Sequence, residues 1–259
     1  MLQPKHHSEV PAVPLEWPSS VVPSNASDPV DGAVPCALPT VLALPAVLAL
    51  PAVLPRYKRP FDLIVGSALL TISAPVAAIV AALVKFTSSG PILFKQKRLG
   101  LHGQPFTVYK FRTMYHGAPS TLHEEYFKQY LQGDPAPGQK RAIYKLRLDQ
   151  RITPVGGMLR RLGLDELPQL FNVIKGDMSL VGPRPPLEYE VAQYTTRHMR
   201  RLETKPGCTG LWQVRGRDIV HFEAMIDMDL EYIELQTLLF DLLLCLLTVP
   251  ALVWAYCKH

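Results

Sequence analysis

The feature that most constrains this chain is a run of twenty-two residues without a charge, which extends from Leu63 to Val84. A run of this length and composition is typical of a helix that lies in a membrane. Pro75 falls near the middle of the run, and a proline inside a helix removes one backbone hydrogen bond and favours a break or a kink. The whole chain is also apolar, because 48% of its residues are hydrophobic and only 19% are charged.

Basic residues on both sides of this run predict how it enters the membrane. They are Arg56, Lys58 and Arg59 before the run, and Lys85, Lys95, Lys97 and Arg98 after it. Positive residues favour the cytoplasmic side, so both ends are expected there. A first limb of about twelve residues spans roughly 18 Å, which reaches about the middle of a hydrocarbon core of ~30 Å.

We therefore predict a re-entrant helix hairpin over residues 56–90, broken at Pro75. Thr71 and Ser73 are the nearest partners for the carbonyl group that the proline leaves unpaired. A kinked helix that crosses the membrane is the alternative.

The N-terminal region, residues 1–55, is rich in proline, alanine, valine and serine. It contains a near-exact repeat, LPTVLALPAVLALPAVLP, from Leu38 to Pro55. A proline every six residues prevents a regular helix, and no basic segment directly precedes the repeat as it would in a signal peptide. We therefore predict a low-complexity tail that is disordered or lies on a membrane.

Two β-prone runs follow in PILFKQKRLGLHGQPFTVYKFRTM, and the turn-like LGLHGQ between them predicts a β-hairpin. Alternation places Phe106, Val108, Lys110 and Arg112 on one face of the second strand. Two cations among apolar residues are compatible with an anion site, and equally with an exposed strand edge that lysine protects from pairing. Residues 115–145 are predicted to be a polar, partly helical insertion.

Two adjacent acids, Asp165 and Glu166, stand in the segment RRLGLDELPQLFNVIKG, residues 160–176. A short helix is predicted before them, with Thr153 and Pro154 as good N-cap and N1 residues. A second helix is predicted from about Asp165 to the glycine that ends the segment. The acid pair is therefore expected at a helix N-terminus.

That position is compatible with two roles. An acid at an N-cap stabilises a helix by about 1 kcal/mol and interacts favourably with the helix dipole. The same helix end presents free N–H groups to a phosphate, and Arg160, Arg161 and Arg184 supply cations that are able to hold one. Two bare carboxylates repel phosphate, so a reactive role needs a bridging divalent cation, for which Mg²⁺ is suited. An aspartate is also able to act as a covalent nucleophile toward phosphorus.

Four segments, in this order, resemble the bacterial sugar transferase family, the monotopic polyprenyl-phosphate phosphoglycosyl transferases. They are KRPFDLIVGSALL, PILFKQKRLGLHGQPFTVYKFRTM, RITPVGGMLRRLGLDELPQLFNVIKGDMSLVGPRPP and KPGCTGLWQVRGR, and the resemblance runs from about Arg56 to about Pro250. It implies a helix-rich α+β (α/β) fold, in which a small cytoplasmic catalytic domain, residues 91–234, is carried by a membrane-dipping hairpin, residues 56–90.

The activity implied by the resemblance is the transfer of a sugar 1-phosphate from a UDP-sugar to undecaprenyl phosphate. The reaction releases UMP and begins an exopolysaccharide or surface-glycan unit on the cytoplasmic face of the inner membrane. The expected partners are therefore the UDP-sugar, undecaprenyl phosphate and the lipid bilayer, with a homo-oligomer left open and nucleic acid not expected.

The resemblance also implies the site residues. The catalytic Asp-Glu dyad of the family falls on Asp165 and Glu166, with Asp165 as the nucleophile and as the ligand of Mg²⁺. Arg160 resembles the phosphate-holding arginine of the family. Further anion-binding candidates are Arg184, Lys110 and Arg112, whereas Arg161 is expected to be an ordinary surface arginine.

The C-terminal segment, residues 235–259, is strongly apolar and contains one acid, Asp241, and one proline, Pro250. The family places this segment along the membrane interface, and we expect interfacial helices here in preference to a second crossing. Upstream, Trp212 is expected to pack, as most single tryptophans do. The four cysteines form no paired motif, which argues against a zinc site or a disulfide framework and favours a reducing compartment.

Two other functions are compatible with the same residues. A non-catalytic, membrane-associated glycan-assembly factor would use the acid pair only as a helix cap and the basic residues as contacts for anionic lipid. A metal-dependent phosphohydrolase would use the same carboxylates on a lipid diphosphate, with water as the acceptor.

Overall fold

The computed structural model describes residues 54–117, 127, 149–215 and 222–257. The predicted tail lies outside the described residues except for its last two positions, and so does most of the predicted insertion at 115–145.

The described residues form a mixed fold in which helices predominate, so the predicted helix-rich α+β class is confirmed. The helices are α1 (Lys58–Thr87), α2 (Pro154–Leu162), α3 (Gln169–Lys175), α4 (Glu188–Val191), α5 (Thr196–Met199), α6 (Leu211–Arg215), α7 (Phe222–Glu234) and α8 (Leu238–Cys257). The strands are β1 (Leu93–Leu99), β2 (Pro105–Phe111), β3 (Ser179–Val181) and β4 (Gly207–Thr209). Short 3-10 turns occupy Leu101–Gly103, Leu164–Glu166 and Arg200–Glu203.

The predicted β-hairpin is confirmed, because β1 and β2 pair antiparallel from Leu93 opposite Phe111 to Leu99 opposite Pro105. Its turn uses left-handed backbone at His102, with φ 54°, followed by a glycine with φ 70°. A glycine adopts this conformation without strain, which explains why the turn carries one there.

The side chain of Asn172, on α3, joins that helix to the free edge of β2. Its Oδ1 accepts a hydrogen bond from the backbone N–H of Tyr109 at 3.2 Å, and its Nδ2 donates to the carbonyl of Thr107 at 2.7 Å. The amide therefore makes the two bonds that a neighbouring strand would make, and it is fully buried.

A second, parallel pair of strands lies in the core, with Ser179 opposite Gly207 and Val181 opposite Thr209. The chains approach so closely that a Cβ on Gly207 would lie 2.1 Å from the backbone nitrogen of Gly182. The glycine is required at this position because no side chain fits between the two backbones.

A buried polar cluster ties the start of α1 to this core. Lys58 is only 2% exposed, and its Nζ donates to the carbonyl of Val181 at 2.8 Å, to the Tyr232 hydroxyl at 2.5 Å and to Asp241 Oδ2 at 2.7 Å. A buried ammonium group is stable only when it is paired and hydrogen-bonded, and here all three of its donors are used. The cluster links α1, β3, α7 and α8.

Helix α1 is continuous from Lys58 to Thr87, and Pro75 lies inside it. The predicted break at Pro75 is therefore wrong as a break in secondary structure. The predicted partners of the unpaired carbonyl also differ, because the hydroxyls of Thr71 and Ser73 donate to the carbonyls of Ser67 and Leu70. By length and composition, α1 is apolar enough to cross a membrane.

Both ends of α1 pack against the same folded domain, while its middle is exposed. Near the first end, Phe61 belongs to the core cluster that contains Val173. Near the second end, Val80 and Val84 pack with Phe111 in another buried cluster. The exposed middle is apolar and includes Ile72, which is 74% exposed, and Ile79, which is 62% exposed.

Helix α8 continues through Pro250 and has two different sides. On one side Leu244 is buried and the hydroxyls of Thr248 and Thr209 lie 2.8 Å apart, which attaches the helix to β4. The other side exposes large apolar residues, with Leu239 at 77% and Leu246 at 71%. One unpartnered apolar side is what an interfacial helix requires.

Candidate active site

The acid pair lies on a separate 3-10 turn between α2 and α3. Helix α2 begins as predicted, because the Thr153 hydroxyl accepts from the backbone N–H of Gly156 at 2.9 Å, and it ends at the left-handed Gly163. Asp165 and Glu166 follow in the 3-10 turn Leu164–Glu166, which we call the acid turn. The N-cap of α3 is Pro168, whose own side chain makes no capping hydrogen bond, so the helix starts a few residues after the predicted start near Asp165.

The position of α2 is set by a close backbone contact with the segment after β2. A Cβ on Gly156 would lie 2.1 Å from the carbonyl oxygen of Thr113. Arg160, at the other end of the same helix, donates from Nε to the Thr113 hydroxyl at 2.8 Å. The helix therefore carries Arg160 to the side of the acid turn.

Lys110, on β2, forms an ion pair with Glu166 of the acid turn. Its Nζ lies 2.8 Å from Glu166 Oε1, with side-chain exposures of 19% for the lysine and 36% for the glutamate. The sequence placed this lysine on a strand face but did not identify its partner. The ion pair is accessible enough for a ligand to reach and is partly desolvated, which strengthens it relative to a surface pair.

Arg160 is the second cation near the pair. Burial lowers the pKa of Arg160 from its ordinary value, and the negative charges of Asp165 and Asp149 act in the opposite direction. Arginine has so high an ordinary pKa that it stays protonated in proteins. The acid turn is thus flanked by a lysine from β2 and an arginine from α2.

Arg184 lies in the loop after β3, which attaches to the far end of the hairpin. Arg98 donates from Nη1 to the Pro185 carbonyl at 2.7 Å, and Leu99 donates its backbone N–H to the Pro186 carbonyl at 3.0 Å. Lys110 on β2 lies opposite Phe94 on β1, and Arg98 lies four positions further along β1 on the same face. Four residues of strand span about 13 Å, so Arg98 and Lys110 occupy positions about that far apart along one face of the β-hairpin.

Arg112 lies in a different environment from the other candidates. It is 5% exposed, and its guanidinium donates to the carbonyls of Pro91, Val84 and Ser88. These contacts fasten the second end of α1 to the hairpin. The structure therefore does not bring Arg112 to the acid turn, and its geometry favours a structural role.

Trp212 and Arg161 agree with their expected roles. Trp212 is 5% exposed and packs in a buried cluster with Phe222 and Ile226. Arg161 is exposed on the surface of α2.

Sequence reasoning assigned no role to Asp229, which the structure shows as one half of a buried ion pair. Its Oδ2 lies 2.5 Å from Arg201, and the two side chains are 1% and 2% exposed. The signal in the sequence is an acid in the apolar stripe of α7, next in the helical repeat to Met225 and Ile226. A buried carboxylate needs a cation, but the sequence does not name which of the many arginines supplies it.

The acid pair fits the donor chemistry of a magnesium site. Among the described residues no three His, Cys, Asp or Glu side chains come together as a metal cluster. Mg²⁺ is commonly held by one or two carboxylates, with substrate phosphates and water as the other ligands. Asp165, with Glu166 next to it in the chain, would supply the carboxylate oxygens of such a site.

Comparisons with known proteins give consistent matches over this region. The family model described as bacterial sugar transferase matches residues 54–255. The exopolysaccharide production protein ExoY of Rhizobium meliloti is 41% identical over 194 residues, which cover 75% of this chain and 84% of that protein. The undecaprenyl-phosphate galactose phosphotransferase of Salmonella typhimurium is 41% identical over 187 residues, which cover 71% of this chain and 38% of that protein.

A further relative is the UDP-glucose:undecaprenyl-phosphate glucose-1-phosphate transferase of Klebsiella pneumoniae, 38% identical over 201 residues, which cover 74% of this chain and 39% of that protein. The similarity thus includes the acid turn, the hairpin and the loop of Arg184, because all three lie inside the matched residues.

Proposed function

The chain belongs to the bacterial sugar transferase family, and from this membership we propose that it transfers a sugar 1-phosphate from a UDP-sugar to undecaprenyl phosphate. UMP is the second product, and the lipid-linked sugar begins an exopolysaccharide or surface glycan. The observation that carries the proposal is the acid turn, where two half-buried carboxylates lie beside the cations of Lys110 and Arg160.

In the first half-reaction a carboxylate oxygen of Asp165 attacks the β-phosphorus of the UDP-sugar. The new bond joins Asp165 to phosphorus, and the bond from that phosphorus to the oxygen that bridges the two phosphates breaks. UMP leaves with the bridging oxygen, and the sugar phosphate remains on Asp165 as an acyl phosphate.

In the second half-reaction an oxygen of the lipid phosphate attacks the same phosphorus. The bond to Asp165 breaks, the carboxylate is restored, and the product is an undecaprenyl diphosphate sugar. Dividing the exchange into two steps means that the water-soluble and lipid substrates need not occupy the site together.

The neighbouring side chains have separate tasks in this scheme. Lys110 holds Glu166 at 2.8 Å and places a positive charge beside the reacting diphosphate. Arg160, fixed to Thr113, places a second charge beside Asp165. Cations that are already in position stabilise the charge that develops on transferring phosphoryl oxygens. Mg²⁺, held by Asp165 with Glu166 adjacent, would neutralise the diphosphate when bound.

The packing of α1 supports a re-entrant placement on the cytoplasmic face of the inner membrane. Phe61 and Val84, near the two ends of the helix, both pack against the domain that carries the acid turn. A helix whose ends emerge on opposite sides of a bilayer cannot pack both ends on one domain. The apolar middle would enter the lipid, with α8 lying along the interface.

The decisive experiment measures UMP release by the purified protein with a panel of UDP-sugars, undecaprenyl phosphate and Mg²⁺. We expect Asp165→Asn to reduce turnover by more than about 10³-fold, because it removes the nucleophile and keeps the shape of the side chain. The matched control is Glu188→Gln, an exposed acid in the first turn of α4, which should leave turnover unchanged. Full turnover by Asp165→Asn would refute the covalent mechanism, and water acting as the productive acceptor would indicate a phosphohydrolase.

A further inference from the structure

The loop that carries Arg184, Gly182–Pro186, is held almost entirely through its carbonyl groups. Three of its five residues are prolines, which have no backbone N–H to donate. The four consecutive carbonyls of residues 183–186 each accept a hydrogen bond. Their donors are, in order, the backbone of Gly207 at 2.8 Å, Arg201 at 3.3 Å, Arg98 at 2.7 Å and the backbone of Leu99 at 3.0 Å.

Two of these donors are buried arginines, and each is oriented by its own partner. Arg98 donates from Nε and Nη2 to Gln96 Oε1, at 3.0 and 2.7 Å. Arg201 donates to Asp229 Oδ2 at 2.5 Å and to the Tyr194 hydroxyl at 2.7 Å. The planar guanidinium fork lets one side chain bind several acceptors in a fixed geometry, which a lysine cannot do.

The ion pair of Arg201 and Asp229 is more than is needed to fill the core. A buried ion pair can often be replaced by apolar side chains of similar volume without loss of stability. An apolar replacement would, however, leave the carbonyl of Arg184 without its donor. The hydrogen bond from Arg201 to the Arg184 carbonyl is therefore a reason for the ion pair that core packing alone does not provide.

We propose that Arg201, held by Asp229 and Tyr194, is a positioning residue that fixes the backbone at Arg184 and so aims that side chain at the anionic part of the UDP-sugar. The proposal rests on the proposed function, since it assigns Arg184 to the sugar-nucleotide donor. Arg98 acts on the next carbonyl and belongs to the same hairpin face as Lys110. Arg98 and Arg201 together, which we call the arginine clamp, thus hold the Arg184 loop against the β-hairpin that carries Lys110.

The first test is Arg201→Lys, which keeps the charge opposite Asp229 but loses the forked geometry. We expect the KM for UDP-sugar to rise about tenfold, as for the loss of a hydrogen bond from a charged group. The KM for undecaprenyl phosphate should stay within about twofold, because the clamp acts on the donor end. The matched control is Arg197→Lys, which alters an exposed ion pair between α5 and Asp227 and should change neither value.

A double-mutant cycle separates positioning from general stability. If Arg201 acts through Arg184, then adding Arg201→Lys to Arg184→Ala should raise the donor KM no further than Arg184→Ala alone. Additive effects in this cycle would overturn the proposal.

The double variant Arg201→Met with Asp229→Leu tests the same point in a core that remains filled. We expect it to unfold at a temperature close to that of the wild type and still to show the raised donor KM. A folded double variant with an unchanged donor KM would show that the pair is only structural. Failure of the wild type to release UMP from any UDP-sugar would refute the proposed function instead. UDP-sugar binding to Asp165→Asn, measured by calorimetry with and without Arg201→Lys, reports on the clamp independently of turnover.

Discussion

At the scale of single residues, the site depends on charges that are placed beside one another before any substrate arrives. Glu166 has its cation at 2.8 Å, and Asp165 lies in the field of Arg160. Each carboxylate of the acid turn therefore lies beside a positive charge. The cations are also in place to attract a diphosphate that bare carboxylates would repel.

Lys110→Gln tests the ion pair of the acid turn. We expect kcat/KM for UMP release to fall about 10- to 100-fold, because one positioned charge is lost and Glu166 is released. Lys97→Gln is the control, since Lys97 is an exposed lysine on the same hairpin. Equal effects of the two substitutions would contradict a specific role for Lys110.

Asp229 predicts a pH dependence of stability. Burial raises the pKa of Asp229 to about 6 from an ordinary value of 3.8, although Arg201 opposes the shift. The folded state therefore keeps a proton that the unfolded chain releases between about pH 4 and pH 6. Its stabilising contribution is full below about pH 4 and is lost as the pH rises through about 6, by at most about 3 kcal/mol.

The measurement is the difference in unfolding temperature between the wild type and Asp229→Asn. That difference should move against the wild type as the pH rises from 4 to 6 and then stay level. Other titrating groups are common to both proteins and cancel in the difference. A flat difference across this range would contradict the raised pKa.

At the scale of elements, the site is assembled by α2, which brings Arg160 and the acid turn against the hairpin. Its contact is made through backbone, since Gly156 lies directly on Thr113. The next glycine along the helix, Gly157, is uncrowded, because a Cβ there would meet nothing closer than Ile152 at 3.9 Å. The two adjacent glycines are therefore chemically identical but structurally opposite.

Gly156→Ala and Gly157→Ala form a matched pair. We expect Gly156→Ala to destabilise the fold by about 2 to 4 kcal/mol and to reduce UMP release, because its methyl group forces α2 away from Thr113. Gly157→Ala should stabilise by about 0.5 to 1 kcal/mol, because alanine is the better helix former at an uncrowded site. Thermal unfolding in detergent measures both, and a similar sign for the two would contradict the packing of α2.

At the scale of the whole molecule, the two ends of α1 are fastened to one domain by different means. Lys58 anchors the first end through buried polar contacts, and Arg112 anchors the second by binding the carbonyls of Val84 and Ser88. The apolar residues between the anchors are left exposed, as is one side of α8. Large exposed apolar surfaces of this kind mark contact with a membrane or with another protein, and the first agrees with the placement that we propose.

Cysteine labelling tests this arrangement in sealed inner-membrane vesicles. Arg56→Cys and Ser89→Cys, at exposed positions before and after α1, should react with a membrane-impermeant reagent from the same side. Gln104→Cys in the exposed hairpin turn marks the side of the catalytic domain and should react with them. Labelling of the two α1 flanks from opposite sides would show that the helix crosses the membrane.

The sequence by itself determined the features that depend on local pattern. Hydrophobic length identified a helix that is apolar enough to cross a membrane, β-prone runs around a turn identified the β-hairpin, and Thr153 with Pro154 identified the start of α2. The ordered motifs identified the family, which the match over residues 54–255 confirms. These properties are legible because they depend on neighbours in the chain.

Only the tertiary structure decided which distant residues meet. In the folded chain Lys110 pairs with Glu166, Arg201 pairs with Asp229, and Arg112 binds the end of α1. It also kept α1 helical through Pro75, where the sequence had predicted a break. Ion pairs across 28 or 56 positions are set by how elements pack, and nothing in the local pattern distinguishes one arginine from another.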